Sequence, residues 1–588
     1  MPYAQSRWTL DPLLPSAAPA DFEKALAVFD RKVKKVEAWR KKLKPNLAVK
    51  AFTALMDDYE AMHRDLLRLN AFTSLRFLAD TQDQAALALM TRMDELVAET
   101  QNRVLFFSLW WKALDNVNAR RLLKAAGDRR YWLEMVRSFR AYTLSEAEEK
   151  IINLKDVSGA LALQTLYQTI TNKLTFNLTV DGQTKTLTRD ALMVYARDAN
   201  PALREAAYRE LYRVYTEHGP VLAQIYGNLA RNWRSENLGL RKFKTPIAVR
   251  NLANDVPDKV VDTLLDVIAR NAGVFQRYFR LKARWLGMER LRRYDLYAPL
   301  AKSEKAYSYD AAVGMVLETF TEFSPHVGQL ARQVFDEGHV DSEVRAGKTT
   351  GAFCWSVLPD LRPWVLVNYN GKASDVATLA HEMGHAIHAL LAADHSVMTF
   401  HSALPMAETA SVFSEMMLTE KLLAAEPDPA VRRDLLAAAL DDAYATVGRQ
   451  GFFAMWEKEA HEMVKNNATA DEMAARYLET LKTQFGDAVT ISDEFKWEWV
   501  SIPHFYGTPF YVYAYSFGQL LVLSLYEMFR HEGQAFKPKY LKILGHGGSA
   551  APARILKEAG IDIASADFWQ GGYNVIVGMI DRLEKMEA

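Results

Sequence analysis

Residues 375–393 read DVATLAHEMGHAIHALLAA, a stretch that predicts a helix opened by the capping residues Ser374 and Asp375. It contains His381-Glu382-Met383-Gly384-His385. Four residues make about one helical turn, so both imidazoles project from one face at the separation of metal ligands. Zn²⁺ takes two imidazole nitrogens readily, keeps an open position for water when three protein ligands are present, and lowers the pKa of that water toward about 7. Glu382, beside the pair, is the carboxylate that can take the water's proton.

Working outward, Pro405 opens a further helical run, MAETASVFSEMMLTEKLLAA, in which Glu408 stands 23 residues after His385. A helix-loop-helix can return that carboxylate to the histidine pair, which gives His381, His385 and Glu408 as ligands of one Zn²⁺ per chain. Two core histidines without a metal would each need a separate polar partner on an apolar stripe. His388 shares the face of His381, but seven residues of helix separate their Cα atoms by about 10.5 Å, too far for one tetrahedral ion that also binds His385. A supporting or core role suits it better. Position 391, where a third histidine of the metzincin pattern would fall, is Leu391. Glu415, almost two turns past Glu408, lies on the same face and can accept a hydrogen bond from a ligand histidine, or else is a solvated surface glutamate. Upstream, residues 351–371, GAFCWSVLPDLRPWVLVNYNG, place two strand-like runs around a Pro-Asp turn.

Residues 21 to about 150 read as successive amphipathic helices, and helical periodicity resumes from Arg189. Between them LTFNLTVDGQTKTLT predicts a hairpin, with Asp181-Gly182 supplying the positive-φ turn. There is no internal repeat and no Gly/Ser-rich linker, so the expectation is one mostly helical body with two lobes. Residues 505–526 are uncharged and long enough to span a bilayer, but Pro509, Gly518 and several tyrosines favour a buried helix over a membrane segment.

The 588 residues hold 72 Lys plus Arg against 72 Asp plus Glu, which argues against a nucleic-acid or anionic-membrane partner. The basic run from Arg31 to Lys44 is punctuated by Val33, Val36 and Trp39, as on a solvated amphipathic face. The single cysteine, Cys354, and a start lacking a basic and apolar leader point to the cytoplasm.

HEMGHAIH, ETASVFSE at 408–415 and HFYGTPFYVYAYSFG at 504–518 together resemble the M3 family of zinc metallopeptidases, most closely its oligoendopeptidase F branch. PWVLVNYNGKASDVATLA and GGSAAPARILKEAGID are similar as well. The resemblance is dense from about Tyr294 to Phe568. It implies a mainly α, two-lobed metallopeptidase fold with a deep central channel and a small β element beside the metal-binding helix. Residues 1–195 would form an N-terminal helical lobe and 196–588 the catalytic region, both lining the channel. Glu408 would be the third zinc ligand and Glu382 the general base, and a histidine with tyrosines on a Gly-containing segment would hold the oxyanion. Here these are His504 with Tyr506, Tyr511, Tyr513 or Tyr515; Tyr513 matches the last tyrosine of the family run, whereas Phe510 replaces the first.

The expected activity is hydrolysis of short unstructured peptides by a zinc endopeptidase. The strand from Gly351 to Ser356, with Ala352 and Phe353, would pair with the substrate backbone. A metallocarboxypeptidase or peptidyl-dipeptidase is the alternative among enzymes. A peptide-binding protein with a degenerate metal site is the alternative outside them, disfavoured by the intact Glu382.

Overall fold

Apolar residues spaced three and four apart fold into three long helices, Pro19–Glu37, Val49–Ala79 and Gln84–Ala113, in the computed structural model, which describes residues 2–16, 18–300 and 306–586. Their inner faces bury Phe22, Phe29 and Phe72 in one core with Val357, Leu358, Trp364 and Leu366. The N-terminal helices therefore pack on the region just before the HEMGH helix.

The chain divides into two compact units. The first gathers Met1–Ala141, Glu304–Leu422 and Phe529–Ile561; the second gathers Tyr142–Ser303, Leu423–Met528 and Asp562–Ala588. Neither is continuous in sequence. These units do not follow a single boundary after residue 195, since the core that holds Phe22, Phe29 and Phe72 also takes in Val357, Leu358, Trp364, Leu366 and Val397.

In the first unit a small three-stranded sheet has Trp364–Leu366 at its centre, parallel to Val340–Asp341 and antiparallel to Phe353–Trp355. Phe353 pairs with Leu366 and Trp355 with Trp364. The two strand-like runs around the Pro-Asp turn thus form as anticipated, and the Val340–Asp341 strand adds to them. Phe353–Trp355 lies at the sheet edge. The loop leading to it is tied down by Lys348, whose buried ammonium donates to the carbonyls of Asp341, Glu343 and Val367 and pairs with the Asp341 carboxylate at 2.8 Å.

The second unit is built on a 34-residue helix, Pro201–Arg234. Gly219 in it admits the Trp497 ring, which a Cβ would meet at 2.7 Å. The hairpin forms between Phe176–Val180 and Gln183–Leu187, with Asp181 at φ 51° and Gly182 at φ 78°. The uncharged 505–526 stretch is split into the helix Pro503–Gly507, a turn, and the helix Tyr513–Glu532, whose apolar residues are buried. Among the described residues no helix is long and apolar enough to cross a membrane.

Candidate metal centre

The HEMGH motif lies on the helix Ala373–Leu391. Its start is fixed by Asp375, whose carboxylate accepts from the backbone N–H groups of Asn370 at 2.8 Å and Lys372 at 3.0 Å. Asp375 thus caps from inside the first turn.

Glu408 is not on an α-helix, contrary to the sequence reading. Residues Leu404–Thr409 form a 3₁₀ turn, and the α-helix begins only at Ser411 and runs to Ala425. The reason is contact with the HEMGH helix at Gly384, where an added Cβ would fall 2.6 Å from Ser411 Cα and 2.7 Å from the Ala410 carbonyl oxygen. Only glycine allows that approach, which swings Glu408 toward the histidines. The turn is further held by Tyr540, which donates to the Thr409 carbonyl at 2.9 Å. Gly384→Ala should therefore destabilise the protein by about 1–3 kcal/mol through overpacking, although alanine is the better helix former. Denaturant unfolding measures this, and a stabilised variant would contradict the close approach.

His381 Nε2 and His385 Nε2 lie 3.3 Å and 3.4 Å from the same oxygen, Oε2 of Glu408, and one ligand atom from each residue falls within 4.8 Å of the other two. These N···O distances are long for a hydrogen bond but match the ligand–ligand edge of a tetrahedron with bonds near 2.0–2.1 Å, about 3.3 Å. With two imidazoles and one carboxylate, the donor set fits Zn²⁺ and leaves a fourth position. Ser411 Oγ donates to Glu408 Oε2 at 2.7 Å, and Glu415 Oε2 lies 3.3 Å from His381 Nδ1. Glu415 is thereby placed to fix which His381 nitrogen faces the ion. Ser411 was missed in the sequence, although a serine three residues past a carboxylate in a turn is a recognisable partner.

Burial works against charge on His381, yet its contacts with Glu408 and Glu415 outweigh it and push the imidazole up to about 10. Burial likewise opposes charge on Glu408, and the two histidines override it, holding the carboxyl well below the usual range. Glu408 is thus ionised beside a protonated imidazole, and a cation held by the three residues would take the place of the His381 proton.

The cluster opens into a cavity of about 470 Å³, lined on one side by His381, Glu382, His385 and Glu408 and on another by Ala352, Phe353, Cys354 and Ser356 of the edge strand and its flanks. Glu382 is 7% exposed; burial raises its carboxyl pKa, against the pull of His381 and His385. Gly351 is not on the cavity wall, and its carbonyl accepts from Asn368 Nδ2 at 2.9 Å. His388 lines the cavity and is buried; burial, then the charge of His385, lowers it to about 4, so it stays neutral. His401, also on the wall and lowered by burial, had no motif to mark it.

The His504 and tyrosine candidates belong to the second unit, where three of them gather. His504 Nε2 lies 3.2 Å from the Tyr515 hydroxyl, and its ring stacks on Tyr511 at 5.7 Å with 6° between planes. Tyr511 and Tyr515 meet edge to face at 5.0 Å, and all three are half-buried. Burial, then Arg449, lowers the His504 pKa, favouring the neutral ring. Tyr513, which the sequence comparison favoured, is 0% exposed, and its hydroxyl accepts from Asn254 Nδ2 at 2.9 Å. Tyr506 is also a core residue, donating to the Leu222 carbonyl and stacked on Tyr167.

The sequence pattern of peptidase family M3 matches residues 194–575, enclosing the metal-ligand cluster and the His504 segment. The chain belongs to peptidase family M3. Within family M3 the neighbouring pattern, Oligopeptidase F, matches residues 110–176. An oligoendopeptidase F homolog of Lactococcus lactis subsp. lactis is 30% identical over 66% of this chain, and the match spans 64% of that relative's length. An oligoendopeptidase F homolog of Borreliella burgdorferi is 25% identical over 94% of each chain. In fold, the chain is similar to the crystal structure of oligoendopeptidase-F from Enterococcus faecium, with a TM-score of 0.72 and 23% identity over 96% of this chain and 99% of that one.

Proposed function

We propose that this family M3 protein is a zinc-dependent endopeptidase that hydrolyses short, unstructured oligopeptides in the cytoplasm. The observation that carries the reading is the convergence of His381, His385 and Glu408 on one point of a cavity that also holds the Glu382 carboxylate. Zn²⁺ bound there supplies Lewis acidity, acidifying water and polarising a carbonyl. Glu382 takes a proton from the attacking water as its oxygen bonds to the scissile carbon, and delivers a proton to the amide nitrogen as the C–N bond breaks. A carboxyl raised by burial is better matched to both transfers near neutral pH than an ordinary glutamate.

The free edge of Phe353–Trp355 would pair with the peptide main chain, which tolerates varied side chains because every peptide carries the same N–H and C=O groups. His504, with Tyr511 and Tyr515, is the donor group assigned to the developing oxyanion. Tyr513→Phe would remove an acceptor from Asn254 and act on packing rather than on turnover. The cytoplasmic assignment rests on a single cysteine, which cannot form an intrachain disulfide.

The test is product mapping on peptides of about ten residues blocked at both ends, with the chain stripped of metal and reloaded with zinc. Internal cleavage that depends on zinc is the expected result. Cleavage only of peptides with a free C-terminus would replace the reading by a carboxypeptidase or dipeptidase. No cleavage of any peptide, with zinc bound, would leave a peptide-binding protein.

A further inference from the structure

Glu457 is 0% exposed, and its carboxyl group accepts one backbone hydrogen bond, from Phe510 N–H at 2.9 Å, while its second oxygen has no hydrogen-bond partner among the described residues. Packing does not explain an acidic group there, since an apolar side chain of similar size would fill the space without desolvating a polar group. Its partner is unusual too. Phe510 has φ 59°, a left-handed conformation that a bulky residue rarely adopts.

The two facts meet in one peptide group. Tyr511 N–H donates to the Thr508 carbonyl at 3.1 Å, closing a β-turn over Thr508-Pro509-Phe510-Tyr511. Proline holds its own φ negative, so positive φ at the third position makes this a type II turn, which ordinarily requires glycine or asparagine where Phe510 stands. The type I turn, which suits phenylalanine, has the central peptide rotated over. That central peptide is the Pro509–Phe510 unit, and it is gripped at both ends. Arg250 Nε donates to the Pro509 carbonyl at 3.1 Å, and Glu457 accepts from the Phe510 N–H. The Phe510 ring, 0% exposed, lies 4.7 Å from that of His461, so the side chain is committed to the core in this orientation. The next residue is Tyr511, stacked on His504.

We propose that Glu457 and Arg250 are positioning residues that clamp the Pro509–Phe510 peptide in its type II orientation and thereby set the Tyr511 ring against His504 and Tyr515. This rests, for its catalytic consequence only, on the reading of that aromatic group as the oxyanion donor. Glu457 and Arg250 act through the turn and are not assigned contact with substrate.

The experiment places 3-fluorotyrosine at position 511 of the full-length, zinc-loaded chain and reads its ¹⁹F resonance together with kcat and KM on a short blocked peptide. Glu457→Gln, which retains an acceptor oxygen, should keep the wild-type resonance and most of kcat. Glu457→Leu should move or split the resonance and lower kcat by about 10- to 100-fold, the cost of a misplaced catalytic group, with KM within about twofold and zinc retained. In a Phe510→Gly background, where glycine adopts positive φ unaided, adding Glu457→Leu should change neither reading.

An unchanged resonance and kcat in Glu457→Leu would overturn the clamp, as would an equal loss in the glycine background. If Glu457→Leu does not fold, Arg250→Met releases the carbonyl end of the same peptide and is read in the same way. If the resonance responds as expected while no variant, wild type included, cleaves peptide, the clamp stands and the endopeptidase reading falls.

Discussion

Glu382→Gln is expected to leave the fold and the zinc content unchanged while lowering kcat by on the order of 10²- to 10⁴-fold. The amide fills nearly the same volume in the same cavity, so the loss cannot be charged to packing. It cannot accept a proton from water, and the proton otherwise passed to the leaving nitrogen is absent as well. Glu382 is not among the three converging ligand residues, so metal analysis separates this variant from a ligand loss. A Glu382→Gln protein that hydrolyses peptides at the wild-type rate would remove Glu382 from the mechanism.

Loss of a ligand should look different. His385→Ala or Glu408→Ala leaves two protein donors, too few to hold Zn²⁺ against a mild chelator, and both metal and activity should disappear together. Glu408 is the more informative position, because its Oε2 is the atom common to both histidine contacts. Glu415→Gln should be intermediate, weakening zinc binding by about 10- to 100-fold, since Glu415 touches His381 from behind. Metal content by atomic emission after dialysis, with competition titrations for affinity, measures all three. Stoichiometric zinc in both alanine variants would mean that the ion binds elsewhere.

The parts of this arrangement that could be read in the sequence are those set by neighbouring residues. The HEMGH helix follows from periodicity and a cap, and the hairpin from Asp181-Gly182 between alternating strands. The position of Glu408 could be anticipated but its 3₁₀ backbone could not, because that turn answers to a contact with Gly384 across the loop. Which tyrosines stay half-buried and which enter the core was partly legible. Tyr511, in the turn that precedes the Tyr513–Glu532 helix, and Tyr515, in that helix's first turn, are four residues apart and meet, whereas Tyr513 enters the core. The Arg250–Glu457 grip was not legible at all, since neither residue is near Phe510 in sequence and isolated charges carry no pattern.

The core that joins the first three helices to the small sheet also constrains how this chain can be made. Phe22 and Phe29 leave the ribosome more than 300 residues before Trp364 and Leu366, which share their core. During that interval the early helices can pack on one another, as Phe22 does on Phe72, but the side that meets the sheet lacks its cover, a state in which long-range pairing is slow and sticking to other chains competes with it. A fragment ending near residue 195 would be held in that state indefinitely. The first half of the protein should therefore depend on chaperone binding during synthesis. It is also unsuited to expression as a separate piece, however helical it looks on paper.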